Sequence, residues 1–375
     1  MQNLIKILVP RQLFLLLVLS SGLLNHVILI PNLLNAAGGD SWLSVILAYP
    51  ISLVFLFLVY FIVKNSPNEG FFSLIRKRLG RVFSIVFSIP VILFLFASAY
   101  ITFRDFMIWL KAYFLADSSI FMINCLLIVV CYAITLAGIK AMAISSGFLL
   151  PLVVVLGFFI SFANTNLKDP SLLFPIIADG FPPLFKGVIY VLSGLLEIYM
   201  VVLLQPYSQE SIKFKQLFIL LTVLTGLIIG PLSAAIMEFG PAESIRFQYP
   251  AYEQWRVLSI GEFISHLDFF ALYQWLSGAL IRIGLYMYLL ATFFSKKTKH
   301  YRLSPILIGV FYLLLFGLVS INVETYDFYM MIYKFFLPGC MIFLLLQILL
   351  SALILFVLKK RDEHHGKNKR VEAPS

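Results

Sequence analysis

Stretches of about 20 consecutive apolar residues, the length a helix needs to cross lipid, recur along almost the whole of this chain. They fall at roughly 12–34, 42–63, 83–103, 119–139, 143–163, 184–204, 215–236, 265–294, 303–321 and 335–358, the third and eighth reaching past a bilayer. An isolated segment in hydrocarbon must satisfy its own backbone hydrogen bonds, so each stretch reads as a helix. Of the 375 residues 61% are hydrophobic and 12% charged, against roughly 25% charged in soluble domains. Too little polar surface remains to cover a water-soluble protein of this size. The expectation is an all-α integral membrane protein of about ten transmembrane helices. The first stretch continues into Pro31 and Asn32 without a small-residue cleavage site, which sets it apart from a cleavable signal peptide. Cys125, Cys131 and Cys340 lie inside apolar runs without metal-type spacing and read as small core residues.

Lysine and arginine supply the orientation. With the N-terminus in the cytoplasm, the inside segments hold 20 of the 28 basic residues, among them Arg76, Lys77, Arg78, Arg81, Lys140 and Lys213. This is the positive-inside bias, and an even number of spans puts both termini in the cytoplasm. The net charge of +10 is therefore an orientation signal and a contact for anionic lipid, not a nucleic-acid footprint. Residues 1–358 form the transmembrane domain, and 359–375 a cytoplasmic tail expected to be disordered.

The spans suggest an internal repeat. Ser21-Gly22-Leu23-Leu24-Asn25, with Pro31 beyond it, has a counterpart 172 residues later in Ser193-Gly194-Leu195-Leu196-Glu197, with Pro206 beyond it. The same offset carries the second span onto the seventh. Five spans per half invert the second half in the membrane, the five-plus-five pattern of transporters, with repeats of roughly 12–163 and 184–358. Leu-rich spans also produce such matches by chance, as Ser277-Gly278 illustrates. Glycine and serine at mid-span weaken a helix. Broken first and sixth helices would offer backbone N–H and C=O groups to a ligand at the bilayer midplane. The same small residues could instead permit close helix packing.

Glu197 is the most informative single residue, because a carboxylate at the centre of a span costs about 2.5–3.5 kcal/mol on insertion scales. It could meet a ligand's ammonium, carry a proton, or hydrogen-bond a neighbouring helix while protonated. Asn25 and His26 lie at the equivalent depth of the first span, and His26 is either proton-linked or helix-bonding. Arg282, in the eighth span, must snorkel toward the cytoplasmic face or pair with an acid. Tyr100, Tyr190 and Tyr199 could line a pocket or pack as ordinary aromatics. The outside loop from Glu238 to Glu262 carries Glu238, Glu243, Glu253 and Glu262 against Arg246 and Arg256. It reads as short helices over the mouth, either a solvated face or a lid. GxSxG, HExxH, phosphate-loop and CxxC patterns are absent, so neither an enzyme nor a metal or cofactor site is expected. His364-His365 in the tail is incidental.

Two motifs carry a resemblance. Pro31-Asn32-Leu33-Leu34-Asn35-Ala36-Ala37-Gly38-Gly39-Asp40-Ser41-Trp42 joins the first two spans. Phe239-Gly240-Pro241-Ala242-Glu243 leads through Tyr249-Pro250 to Ile260-Gly261-Glu262-Phe263-Ile264 and His266-Leu267-Asp268. With the span number and chain length, they resemble the endospore germination permease family, the integral B subunit of nutrient germinant receptors. The resemblance implies an amino acid–polyamine–cation superfamily fold with a central ligand site. It also implies a place in the inner membrane of the bacterial spore beside a receptor A subunit and a lipoprotein C subunit. The implied ligand is a small nutrient, commonly an amino acid. Carried onto this chain, the ligand-binding positions are Ser21, Gly22, Leu23 and Asn25 in the first span and Gly194, Glu197 and Tyr199 in the sixth, with Tyr100 as a further pocket residue. The first span lacks the Gly-x-Gly of better-known amino acid transporters. A nutrient-sensing receptor subunit is the favoured function. The alternative is a secondary amino acid transporter coupled to a proton or cation, with Glu197 or His26 as proton carrier. A bare membrane scaffold has no use for a carboxylate at mid-span.

Overall fold

The computed structural model describes residues 7–67, 69–259, 267–295 and 303–371, with side chains as far as 362. Among these residues every regular element is a helix, apart from one isolated bridge between Leu8 and Ser208. The Ile260–His266 part of the second motif, with Glu262, lies outside the described residues, and so do the side chains of His364 and His365.

Helix α1 (Pro10–Leu23) opens on proline, which lacks the N–H that a first turn leaves unpaired, and Gln12 Oε1 accepts the Val9 N–H at 3.2 Å. The backbone then widens into a π turn over Leu24–Ile28 and resumes as α2 (Leu29–Ala37). Gly38, at φ 56° and ψ −137°, makes the reversal into α3 (Ser41–Asn65), a conformation strained for any residue with a Cβ. The short α4 (Phe71–Arg78) buries Phe71 and Ile75 and exposes Arg76, Lys77 and Arg78. Then follow α5 (Arg81–Tyr113) and α6 (Ile120–Ala163), which carries the fourth and fifth stretches and breaks between them at Gly138, φ 84° and ψ 172°. Helix α7 (Phe181–Leu195) tightens into a 3-10 turn over Leu196–Tyr199 and runs on as α8 (Met200–Leu204). Next come α9 (Phe214–Phe239), the short α10 (Pro241–Ser244) and α11 (Pro250–Arg256), α12 (Phe269–Phe294) and α13 (Pro305–Ser320). Finally α14 (Thr325–Met331) passes through a π turn at Ile332–Phe336 into α15 (Leu337–Val371), which enters the basic tail as helix.

Seven helical stretches among the described residues are long and apolar enough to cross a membrane; two of them, Pro10–Asn65 and Ile120–Ala163, run to 56 and 44 residues. The protein is an integral membrane protein. Its helices differ in how they spend their apolar surface. The most apolar window of Phe181–Tyr207 is 94% buried and that of Phe269–Phe294 78%, against 28% for Ile120–Ala163. A helix apolar and buried all round has protein on every side, so α7–α8 and α12, with α1–α2, form the interior. The outer helices present Phe57, Val82, Phe121, Phe148, Leu313 and Phe356 outward, where lipid lies.

The loops gather at two ends. At one, the Ile7 and Leu8 N–H groups donate to Tyr207 O at 3.1 and 3.0 Å, and Gln205 Nε2 donates to Val63 O at 2.9 Å. At the other, the Ile177 N–H donates to Asp40 Oδ1 at 2.8 Å, and Arg104 Nη2 donates to Val323 O at 2.7 Å. Each end collects segments that the charge count assigns to one side of the membrane.

The loop expected outside, Glu238 to Glu262, is only partly a solvated face among its described residues. Glu243 and Arg246 are exposed, but Pro250–Trp255 are all buried. Helix α11 sits on an aromatic floor: Tyr252 lies 4.5 Å from Tyr113, Tyr249 lies 5.2 Å from Trp275, and Trp109 and Trp275 are 4.2 Å apart, centroid to centroid. Tyr252 OH donates to Asp268 Oδ2 at 2.9 Å, and Gln254 Nε2 to Pro231 O at 2.9 Å. Burial raises the Tyr249 and Tyr252 phenols, so both remain neutral donors.

Candidate functional site

The two buried charges of the interior meet each other. Arg282 of α12 forms a two-pronged pair with Glu197 of the 3-10 turn, Nη2 to Oε1 at 2.5 Å and Nη1 to Oε2 at 2.8 Å. Both side chains are closed off from solvent, at 0% and 1% exposure. Tyr286, one turn along α12, accepts from Arg282 Nη1 at 2.9 Å and donates to Glu197 Oε2 at 3.0 Å. Its ring lies 4.4 Å from the guanidinium carbon. Arg282 also donates from Nη1 to Ser20 O at 3.2 Å and from Nε to Thr102 Oγ1 at 3.1 Å. One cluster thus ties α1, α5, the α7–α8 turn and α12 together. A planar guanidinium suits a carboxylate bidentately, and these further bonds let both charges be buried. Glu197 is found as the ion-pair partner of Arg282, which is none of the three roles expected of it, and Arg282 pairs with an acid rather than snorkelling.

Beside this knot lies a polar group with nothing to bind. Asn25 is fully buried in the π turn, and neither its Oδ1 nor its Nδ2 has a hydrogen-bond partner. It presses on the sixth stretch: a Cβ at Gly194 would stand 1.9 Å from Asn25 Oδ1. Gly22 admits the Leu227 side chain, 3.0 Å from where its own Cβ would be, and Leu23 packs against Gly278. His26 bonds the backbone of Leu227. Pro231, four residues on, has no N–H to offer that carbonyl, so the imidazole takes the place of a helix bond. His26 Nδ1 and Ser98 Oγ are buried without partners.

The other expected residues are placed less centrally. Ser21 is buried beside Tyr286. Tyr199 lies in the 3-10 turn, but its hydroxyl turns to α15, 3.2 Å from Ser351 Oγ and accepting from Gln347 Nε2 at 3.3 Å. Tyr100 stands edge-on to Phe328, and Tyr190 stacks on Tyr333. Neither small-residue site is unwound: Ser21-Gly22 and Ser193-Gly194 are α-helical, and just after them the first span widens into a π turn and the sixth tightens into a 3-10 turn. Irregular turns of both kinds mark functional positions in helices. Sequence reasoning took Ser20 only as part of the small-residue run Ser20-Ser21-Gly22, and it missed Thr102 and Tyr286. Only Tyr286 carried a signal, four residues from Arg282 on the same helix face.

Among the described residues no group of three or more histidine, cysteine or acidic side chains is gathered as a metal site would need. What the interior offers is a pair of opposite charges and an unpaired amide at a crossing of irregular turns. That equipment suits recognition of a small polar molecule.

Comparison with known proteins gives this chemistry a setting. A family model described as "Spore germination protein" matches residues 8–324. Spore germination protein XB of Bacillus anthracis is 33% identical over 350 residues, covering 93% of this chain and 98% of that protein. Spore germination protein KB of Bacillus subtilis (strain 168) is 25% identical over 326 residues, 84% of each chain. The putative spore germination protein YfkT of the same strain is 22% identical over 277 residues, 73% of this chain and 75% of that one.

Proposed function

This chain belongs to the spore germination protein family of permeases, and on that premise we propose that it senses a small nutrient as the B subunit of a spore germinant receptor. The nutrient, an amino acid in the first instance, binds at mid-membrane among Ser21, Gly22, Leu23, Asn25, Gly194 and Glu197, with Tyr100 and Tyr199 at the margin. Binding shifts the protein between two conformations, and a receptor A subunit and lipoprotein C subunit read that shift. The location is the inner membrane of the spore, with both termini in the cytoplasm.

One observation carries this reading: Asn25, buried and unpartnered against Gly194. An orphaned buried amide costs about 1–3 kcal/mol, and a bound polar ligand would recover it. Ten spans in a five-plus-five inverted repeat fit the same picture. The Gly38 and Gly138 breaks divide the two longest stretches, and Pro305–Ser320 adds a shorter apolar helix to the seven long ones. Equivalent helices also make equivalent contacts: Leu15 of the first span meets Gly147 of the fifth, and Tyr199 of the sixth meets Ser351 of the tenth.

The test is germination of spores lacking this chain, scored nutrient by nutrient, with uptake of the same nutrients recorded in growing cells. Selective loss of one germination response with uptake intact is expected. Normal germination with lost uptake would make the chain an amino acid transporter coupled to a proton or cation.

A further inference from the structure

Building on the nutrient-sensing reading, we infer that the site takes a zwitterionic α-amino acid by exchange with the Glu197–Arg282 pair. The ligand's ammonium replaces Arg282 on Glu197, and its carboxylate replaces Glu197 on Arg282.

The charges themselves select the ligand. Glu197 and Arg282 are both shut away from water, so whatever separates them must neutralise both. A carboxylate alone would strand Glu197, and an amine alone would strand Arg282. An uncharged molecule would leave the pair closed and gain nothing from either charge. A zwitterionic α-amino acid brings one charge of each sign, both groups borne on a single carbon.

The surroundings are asymmetric in a way that fits exchange. Arg282 keeps Thr102 Oγ1, Ser20 O and the Tyr286 hydroxyl when Glu197 leaves, so its planar fork stays fixed and presented to an incoming carboxylate. Glu197 instead stands on a 3-10 turn between two α-helical segments. Short 3-10 stretches within helices serve as hinges, so this is the side that can move. Asn25 faces the same helix at Gly194, one turn before Glu197, with an unused acceptor and an unused donor. Its Oδ1 can take an ammonium hydrogen and its Nδ2 can serve a carboxylate oxygen. Exchange turns a direct contact between the α7–α8 turn and α12 into one bridged by the ligand, and the change in spacing is the signal passed on.

The experiment is equilibrium binding to the full-length chain in lipid nanodiscs. The probes are the common L-amino acids, their N-acetyl and methyl-ester derivatives, glucose and adenosine. At least one free amino acid is expected to bind, with both of its blocked derivatives weaker by about 30-fold or more. Glu197→Gln combined with Arg282→Met, which strands no charge, should lose the amino acid to the same degree while unfolding near the parent's temperature. Blocked derivatives that bind as well as the free amino acid, or binding confined to glucose or adenosine, would overturn the exchange and leave nutrient sensing standing. Undiminished binding by a folded double variant would do the same. If that variant does not fold, the blocked derivatives on the unmodified chain decide alone. A chain that binds no probe, from spores whose germination does not depend on it, overturns the sensing reading and the exchange together.

Discussion

The Glu197–Arg282 knot and the Asn25–Gly194 contact involve the same sixth stretch, yet one is saturated with partners and the other has none. Around Arg282 five acceptor atoms converge on one guanidinium: both oxygens of Glu197, the Tyr286 hydroxyl, Ser20 O and Thr102 Oγ1. Asn25 instead presses its unpaired amide against the bare backbone of Gly194, where the Leu29 side chain also packs. A polar group in an apolar interior is stable when satisfied and costly when not. The difference teaches that the knot is satisfied within the resting fold, while Asn25 holds unused polar capacity, which is where the proposed nutrient site is put to the test.

The comparison can be broken most forcefully at the knot. Arg282→Met alone leaves a buried carboxylate unpaired and should cost about 3–5 kcal/mol. Thermal unfolding in detergent and abundance in membranes would register this loss. Glu197→Gln added to it should return most of the stability; if the double variant is no better than the single, the pair does not hold the fold. Next in size is Gly194→Ala. Its methyl would collide with Asn25 Oδ1, an overpacking worth about 1–3 kcal/mol. Asn25→Ala in the same chain should relieve the collision, a rescue that a double-mutant cycle reads directly.

Helix α11 offers a smaller control. Tyr252→Phe removes a hydrogen bond to Asp268 and should lower stability by about 1 kcal/mol, measured by the same unfolding. A loss as large as that of Arg282→Met would mean that α11, and not the knot, holds the interior. Asn25→Ala runs the other way: no hydrogen bond is lost and an orphaned amide that costs about 1–3 kcal/mol is removed, so stability should rise, less the cost of the space left behind.

That the chain is built of long apolar helices was legible because lipid demands them, and seven such stretches are found among the described residues, with Gly38 and Gly138 near two of the expected junctions. Glu197 and Arg282 were each legible as charges in the wrong solvent. Their pairing was not, since they lie 85 residues apart and nothing local links them. Tyr199 illustrates another limit. Its place beside the sixth-span glycine was readable, but the direction of its hydroxyl, toward Ser351, depends on how α15 packs. The breaks at Ser21-Gly22 and Ser193-Gly194 were expected as interruptions. Both pairs stay α-helical, and a π turn at Leu24–Ile28 and a 3-10 turn at Leu196–Tyr199 follow them instead, because buried backbone groups in hydrocarbon must keep hydrogen bonds of some kind. In α11 the charged Glu253 and Arg256 suggested a surface, whereas Tyr252 and Trp255 decided that most of the helix is buried.

The most direct measurement is a germination dose–response in spores whose only copy of this chain carries Asn25→Ala. The nutrient is the one whose response the deletion removes, with chain abundance in the inner membrane measured alongside. A shift to at least about tenfold higher nutrient, equivalent to 1.4 kcal/mol of lost binding, at unchanged abundance is the expected result. An unchanged curve at unchanged abundance would contradict a nutrient site at Asn25 and leave that amide a tolerated defect of packing.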